Sequence, residues 1–212
     1  MNIMLRILIA DDHTVVRKGL RQILLDEFPT AVIEEVADAE ALIKKVMAAQ
    51  WDVVVSDLSM PGRSGLDALQ QIKLSYPNLP VLILSIHPEE QYALRALKSG
   101  ASGYLSKDTA PDELVKAVQK ALLGKIYISQ AIAEKLANSF SGNSSLSPHE
   151  TLSDREFDVM KLLANGKSVS EIAEMFLLGV TTVSTYRARV MVKMNLKSNS
   201  DLTKYAIENN LI

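Results

Sequence analysis

The stretch Trp51-Asp52-Val53-Val54-Val55-Ser56-Asp57-Leu58-Ser59-Met60-Pro61-Gly62-Arg63-Ser64-Gly65 decides how the rest of the chain is read. Val53, Val54 and Val55 are an unbroken β-branched run. It stops at Ser56 and Asp57, and Pro61, Gly62 and Gly65 mark a loop just beyond. A short apolar run bounded by turn residues is the pattern of a strand buried on both faces. Such strands belong to parallel α/β sheets. These sheets bind ligands outside the carboxyl ends of their strands. Asp57 therefore stands where a parallel sheet keeps its chemistry.

Leu5–Ala10 is a second apolar run, and it ends in Asp11 and Asp12. If the two strands are neighbours, three carboxylates converge at one edge. Like charges packed together are costly without a cation. Oxygen ligands in a partly hydrated site suit a hard divalent ion, Mg²⁺ foremost. A lone Asp after a strand reads as a cap for the following helix. An Asp-Asp pair plus a third Asp at a second strand end favours the metal site.

Composition narrows the options. The 212 residues permit one large domain or two small ones, and 48% hydrophobic residues suffice for a packed core. A formal net charge of -2 excludes a strongly basic surface over the whole protein but not a local one. With no cysteine, disulfides, thiolate metal sites and a cysteine nucleophile are excluded. The sequence has no apolar run long enough to span a membrane and no signal-peptide pattern. A cytoplasmic protein without membrane attachment is expected.

From residue 5 to 123 two patterns alternate. Apolar runs recur at Leu5–Ala10, Val32–Val36, Val53–Ser56, Val81–Ser85 and Gly103–Leu105. Amphipathic helical stretches follow them: His13–Asp26 with Val16, Leu20, Ile23 and Leu24 on one face, and Ala39–Met47 with Leu42, Ile43, Val46 and Met47. Leu66–Ser75 carries Leu66, Leu69 and Ile72; Pro88–Lys98 carries Tyr92, Leu94, Ala96 and Leu97; Pro111–Leu123 carries Leu114, Val115, Val118 and Leu122. Pro88 and Pro111 fall where a first helical turn tolerates proline. The alternation predicts a parallel sheet with right-handed crossovers, a flavodoxin-like doubly wound domain of five strands and five helices.

After Gly124 the rhythm changes. Ile132, Leu136 and Phe140 predict a helix from about Ser129, and residues 139–148 (Ser-Phe-Ser-Gly-Asn-Ser-Ser-Leu-Ser-Pro) read as a flexible linker. The expected division is 1–124, a linker helix and linker over 125–149, and 150–212. The last part has no strand signal. Ser153 with Glu156, and Ser168 with Glu171, are capping boxes. The first opens a helix closed by Gly166, and the second opens a short helix ending before a turn at Leu177–Gly179. A helix from near Thr181 to about Leu196 and a last one over Asn199–Asn209 complete a helix-turn-helix unit.

On these residues, positions 4–123 resemble the receiver domain of two-component response regulators. The resemblance is carried by Asp11-Asp12, by Val55-Ser56-Asp57-Leu58-Ser59-Met60-Pro61-Gly62, by Ser85 at the fourth strand end and by Tyr104-Leu105-Ser106-Lys107 at the fifth. It implies that Asp57 is the nucleophile that accepts a phosphoryl group from a histidine kinase. It implies Mg²⁺ held by Asp11, Asp12, Asp57 and the backbone carbonyl of Ser59. Lys107 would pair with the phosphoryl oxygens, Ser85 would donate its hydroxyl to one, and Tyr104 would rotate inward as Ser85 moves. These roles suit phosphoryl transfer, which needs positioning and charge neutralisation. Ile86 stands where many receivers carry a smaller residue. Its bulk is expected to hinder water or a phosphatase and to lengthen the life of the phosphorylated state. His87 is expected on the output surface.

Leu152–Ile212 resembles the four-helix DNA-binding domain of the LuxR/NarL/FixJ class. The matching residues are Leu152-Ser153-Asp154-Arg155-Glu156, Leu163-Ala164-Asn165-Gly166-Lys167-Ser168, Glu171-Ile172-Ala173 and Thr181-Thr182-Val183-Ser184-Thr185-Tyr186-Arg187. Between Glu174 and Asp201 lie Arg187, Arg189, Lys193 and Lys197 and no acid. This local cationic patch is what phosphate contacts require; a solvated helix face would interleave acids with bases. Helical geometry places Val183, Val190 and Met194 inward together with Arg187, which is expected to be partly structural and paired with Glu156. Thr181, Ser184, Thr185 and Ala188, with Thr182 of the signature beside them, are expected at the major groove. Arg189 and Lys193 are expected at phosphates. The commonest class pattern has Thr-Val-Lys and then His two positions on. Ser184 and Tyr186 stand here instead, a form similar to the Bvg, Evg and fimbrial regulators. Base readout from Ser, Thr and Ala is weak, which leaves more to DNA shape and dimerisation.

The two resemblances imply a phosphorylation-switched transcription factor that binds promoter half-sites as a homodimer when phosphorylated, answers to a sensor kinase and works with RNA polymerase. It would act as a regulator, not an enzyme, in the bacterial cytoplasm. One alternative keeps the fold and discards the switch: a phosphorylation-independent DNA binder whose receiver docks a protein partner. Another is a metal-dependent phosphohydrolase, which would need a general acid two residues after the nucleophile, where this chain has Ser59.

Overall fold

The computed structural model describes residues 4–130, 132–134 and 147–212. The chain divides into two compact units, Met1–Phe140 and Ser141–Ile212.

In the first unit the apolar runs become strands β1 (Arg6–Ala10), β2 (Val32–Val36), β3 (Val53–Asp57), β4 (Val81–Ser85) and β5 (Gly103–Ser106). All pair in parallel, in the order β2-β1-β3-β4-β5. The helices between and after them are α1 (Thr14–Glu27), α2 (Ala39–Ala48), α3 (Gly65–Ser75), α4 (Glu89–Lys98) and α5 (Ala110–Leu122). This is the five-strand, five-helix domain that the alternation predicts. The register pairs Ile9 with Val55, Ala10 with Ser56, and Asp57 with Leu84. The carboxyl ends of β1 and β3 thus lie side by side at the middle of the sheet.

Strand periodicity sorts the core. Ile7, Ile9, Val53, Val55, Leu82, Leu84 and Leu105 share one face with Leu20 and Leu24 of α1 and Leu114, Ala117 and Val118 of α5. Leu8, Val54 and Ile83 are buried on the other face. Two residues that helical spacing puts inward, Met47 and Leu122, are exposed. Each lies in the final turn of its helix, where the neighbouring Val46 and Ala121 take the buried position. Pro111 sits in the first turn of α5 as expected, whereas Pro88 is the residue before α4 begins. Asp38 caps α2 by accepting from Ala41 N, and Ser64 with Asp67 forms a capping box on α3.

Beyond α5 the chain returns to the sheet edge. Tyr127 N donates to Ser102 O at 2.8 Å, and Tyr127 bridges to Gly103. A Cβ on Gly103 would lie 2.8 Å from Tyr127 O, so only glycine admits this approach. Ala133 N donates to Ser129 O, which agrees with a helical start at Ser129. Leu136, Phe140 and most of the expected linker lie outside the described residues.

The second unit opens with a 3-10 turn, Pro148–Thr151, followed by α6 (Asp154–Ala164), α7 (Val169–Phe176), α8 (Val180–Lys193) and α9 (Asn199–Glu208). Both predicted capping boxes form, and Ser147 with Glu150 at the 3-10 turn and Ser198 with Asp201 at α9 make two more. Leu177 adopts a left-handed conformation (φ 53°) and ends α7. Phe157, Met160, Ile172, Val183, Val190, Leu202 and Ala206 form the core. α8 starts one residue before Thr181 and stops at Lys193, earlier than its apolar pattern suggests.

Candidate functional site

The first unit concentrates charge at the carboxyl edge of its sheet. Asp57 ends β3, Asp11 and Asp12 follow β1, and Lys107 follows β5. Asp57 and Asp11 are 2% and 1% exposed. Lys107 Nζ lies 2.7 Å from Asp11 Oδ2 and 2.9 Å from Asp57 Oδ2, joining the two carboxylates. Asp57 Oδ1 accepts from Ser59 N at 3.2 Å, and Asp11 Oδ1 accepts from His13 N at 2.8 Å. Burial pushes the Asp57 carboxyl above its ordinary value, and neighbouring Asp11 adds to this. Lys107 and the Ser59 amide oppose it without cancelling it. For Lys107 burial acts to lower the value, but the two carboxylates outweigh it and hold the ammonium above its ordinary range.

The cluster holds three carboxylates and one ammonium, which pairs with two of them, so it keeps an excess of negative charge. Ligand atoms of Asp11, Asp12, His13 and Asp57 all lie within 4.8 Å of one another. The hard oxygen donors of three carboxylates fit a divalent cation. His13 is the member that the sequence does not announce. Its Nδ1 stands 2.7 Å from Asp12 Oδ1, and its place directly after Asp-Asp is the one signal. Arg17 is a second addition. Its Nη1 donates to Asp11 O at 2.6 Å and its Nε faces Glu35 at 3.5 Å, tying the loop after β1 to α1 and β2.

Ser85 and Tyr104 flank this cluster and are fully buried. Ser85 Oγ accepts from His87 N at 2.9 Å, and Tyr104 OH donates to His87 O at 3.0 Å. Tyr104 already points inward here, without the movement of Ser85 that the expected rotation would accompany. His87, expected on a surface, is half-exposed, and its Nε2 lies 3.0 Å from the exposed Ser59 Oγ. Ile86 is exposed.

Gly65 sets how closely α3 approaches the acid. A Cβ there would sit 2.0 Å from Asp57 O, and Gly65 N donates to Leu58 O at 2.8 Å. Gly65→Ala is expected to push the loop off Asp57. Thermal melting should show a stability loss of about 1–3 kcal/mol, together with weakened binding of beryllofluoride plus Mg²⁺. An unchanged melt and unchanged binding would contradict this.

In the second unit Thr181, Thr182, Ser184, Thr185, Ala188 and Arg189 are exposed along α8. Thr185 Oγ1 donates to Thr181 O at 3.0 Å, which commits its one hydroxyl proton to the helix. Arg187 is half-buried as expected, but it does not pair with Glu156. Its Nε donates to Asn199 Oδ1 at 3.0 Å. The partner of Glu156 is Lys193, at 2.6 Å. The correction has a geometric cause. Lys193 closes α8 one turn past buried Val190, and its long side chain reaches the capped start of α6, while Arg187 reaches the start of α9. Burial pushes the Glu156 carboxyl up, but Lys193 and the Ser153 amide outweigh it and hold it below its ordinary value.

Residues 7–119 match the family described as "Response regulator receiver domain", and residues 150–206 match "Bacterial regulatory proteins, luxR family". The chain belongs to the two-component response regulators. It is a DNA-binding response regulator with a receiver domain and a LuxR-type output domain. This response regulator is similar over its full length to "Oxygen regulatory protein NreC" of Staphylococcus carnosus, with 38% identity covering 98% of this chain and 99% of the relative. "Response regulator UvrY" of Escherichia coli O6:H1 is 37% identical, covering 98% and 96%. Among solved structures, RcsB from Salmonella enterica serovar Typhimurium bound to promoter rprA in the presence of phosphomimetic BeF3- aligns with a TM-score of 0.65. It shares 27% identity over 95% of this chain and 98% of that one. Among the described residues no helix is long and apolar enough to cross a membrane.

Proposed function

We propose that this regulator is switched by phosphorylation of Asp57. What carries the reading is the placement of a buried, doubly held carboxylate beside Asp11, Asp12 and Lys107 at one sheet edge. Asp57 attacks the phosphorus of a phosphohistidine on a sensor kinase. The bond to the aspartate oxygen forms as the phosphorus–nitrogen bond breaks, and the released imidazole takes a proton from solvent. Asp11, Asp12, Asp57 and the Ser59 carbonyl would hold Mg²⁺, which would supply neutralisation of phosphoryl charge. Lys107 pairs with a phosphoryl oxygen in place of one carboxylate, and Ser85 offers its hydroxyl to another.

Residues 1–124 act as the receiver, 125–149 as the connection and 150–212 as the output. Asp57 phosphorylation draws Ser85 in and locks Tyr104 in the inward position it already occupies, and it promotes a homodimer that binds two promoter half-sites. Thr181, Thr182, Ser184, Thr185 and Ala188 meet bases, and Arg187, Arg189 and Lys193 supply positive charge toward phosphates, two of them after leaving or sharing their present partners. The RcsB complexes with DNA and BeF3- support this by likeness. The protein works in the cytoplasm with a histidine kinase and RNA polymerase as partners.

The test is intact-mass measurement after incubation with phosphoramidate and Mg²⁺. The wild type is expected to gain one phosphoryl group and Asp57→Asn none. Equal gain in both would overturn the assignment.

A further inference from the structure

Contacts of His87 span the site. Its N–H donates to Ser85 Oγ at 2.9 Å, and its carbonyl accepts from Tyr104 OH at 3.0 Å. Its ring stacks on Tyr92 of α4, with centroids 5.0 Å apart. Its Nε2 lies 3.0 Å from Ser59 Oγ, a residue 28 positions earlier. Ser59 in turn donates its N–H to Asp57 Oδ1.

We propose that His87 is a positioning residue for phosphoryl uptake, acting through Ser59. The backbone of His87 orients Ser85 and Tyr104. Because Ser85 Oγ accepts from His87 N, its single proton remains available for an incoming oxygen. The imidazole then ties this loop to the loop after β3, whose amide holds Asp57. One residue thereby sets the separation between the attacking carboxylate and the hydroxyl that donates to a phosphoryl oxygen. Such separations matter steeply, because in-line transfer rewards correct placement. The Tyr92 stack fixes the ring plane that Ser59 meets, so the bridge is braced by α4.

The inference rests on Asp57 being the phosphoacceptor, and the experiment separates the two. Phosphoryl uptake from phosphoramidate at saturating Mg²⁺ is followed by intact mass on the full chain, giving a maximal rate and a half-saturating donor concentration. Wild-type uptake tests the acceptor assignment itself. Given that uptake, Ser59→Ala and His87→Ala are each expected to lower the maximal rate about fivefold, the worth of one ordinary hydrogen bond. Half-saturation should stay in place. The double variant should be no slower than His87→Ala alone, because both changes break the same bridge. His87→Gln, whose amide nitrogen can reach the place of Nε2, should restore the rate to within about twofold. Multiplicative losses in the double variant, failed rescue by Gln, or wild-type rates in both single variants would overturn the proposal. If His87→Ala does not fold, Ser59→Ala and His87→Gln carry the test, since Ser59 is exposed and its truncation disturbs no core.

Discussion

Lys107→Ala is expected to abolish the response to beryllofluoride and to destabilise the receiver by about 3 kcal/mol near neutral pH. Lys107 is the shared partner of Asp11 and Asp57, and both carboxylates are buried. Removing one member of a buried ion pair leaves charge without compensation, which costs more than the pair itself contributes. The loss is also expected to depend on pH. Burial already raises the Asp57 carboxyl, and the ammonium is the main opposing influence, so its removal raises the carboxyl further. A carboxyl whose folded value exceeds its unfolded one binds more protons when folded. Its stabilising contribution is full below the unfolded value and disappears as pH rises through the folded one. The deficit of Lys107→Ala should therefore be larger at about pH 8 than at about pH 5. Adding Asp57→Asn to the same chain should recover part of it. Urea denaturation at the two pH values measures this, and a constant deficit would show that Asp57 does not titrate against Lys107.

Lys193→Ala is expected to destabilise the output domain by about 2 kcal/mol. Glu156 is buried, and its Oε2 is held by Lys193 Nζ at 2.6 Å and by Ser153 N at 2.8 Å. Without the lysine the carboxylate keeps only its bonds to Ser153. The figure lies below that for a fully buried pair because the Lys193 side chain is 41% exposed. Glu156 lies below the ordinary glutamate value of 4.5. A depressed folded value gives stability that is present above the unfolded value and lost as pH falls through the folded one. The gap between wild type and Lys193→Ala should therefore close on acidification below 4.5. A residue that serves DNA phosphates alone would behave differently: Lys193→Ala would weaken DNA binding and leave the melting temperature where it was.

These two lysines also show what the sequence reveals and what it hides. Lys107 is legible only through the resemblance to receiver domains, because a lysine after a strand by itself reads as solvated. Asp11 and Asp57 are legible from the residues alone, since strand-end reading brings them to one edge before any coordinates are known. Capping boxes at Ser153 and Ser168 are legible because they are local. Lys193 is not legible in this way. Helical periodicity says which face a residue shares, but a long side chain chooses its partner by reach, so the pairing of Glu156 falls to Lys193 instead of Arg187. The His87–Ser59 bridge joins two loops through a side-chain contact that no periodicity encodes. Gly65 stands in the founding stretch as a loop marker, yet its real constraint is the 2.0 Å that a Cβ would leave to Asp57 O, which only the packed structure displays.

The proposed switching of the whole chain by Asp57 is tested most directly by DNA binding and solution mass, with and without beryllofluoride plus Mg²⁺, on the wild type and on Asp57→Ala. The mimic is expected to drive dimerisation and tighter DNA binding in the wild type and to change neither in Asp57→Ala. Equal binding by both proteins, indifferent to the mimic, would contradict it.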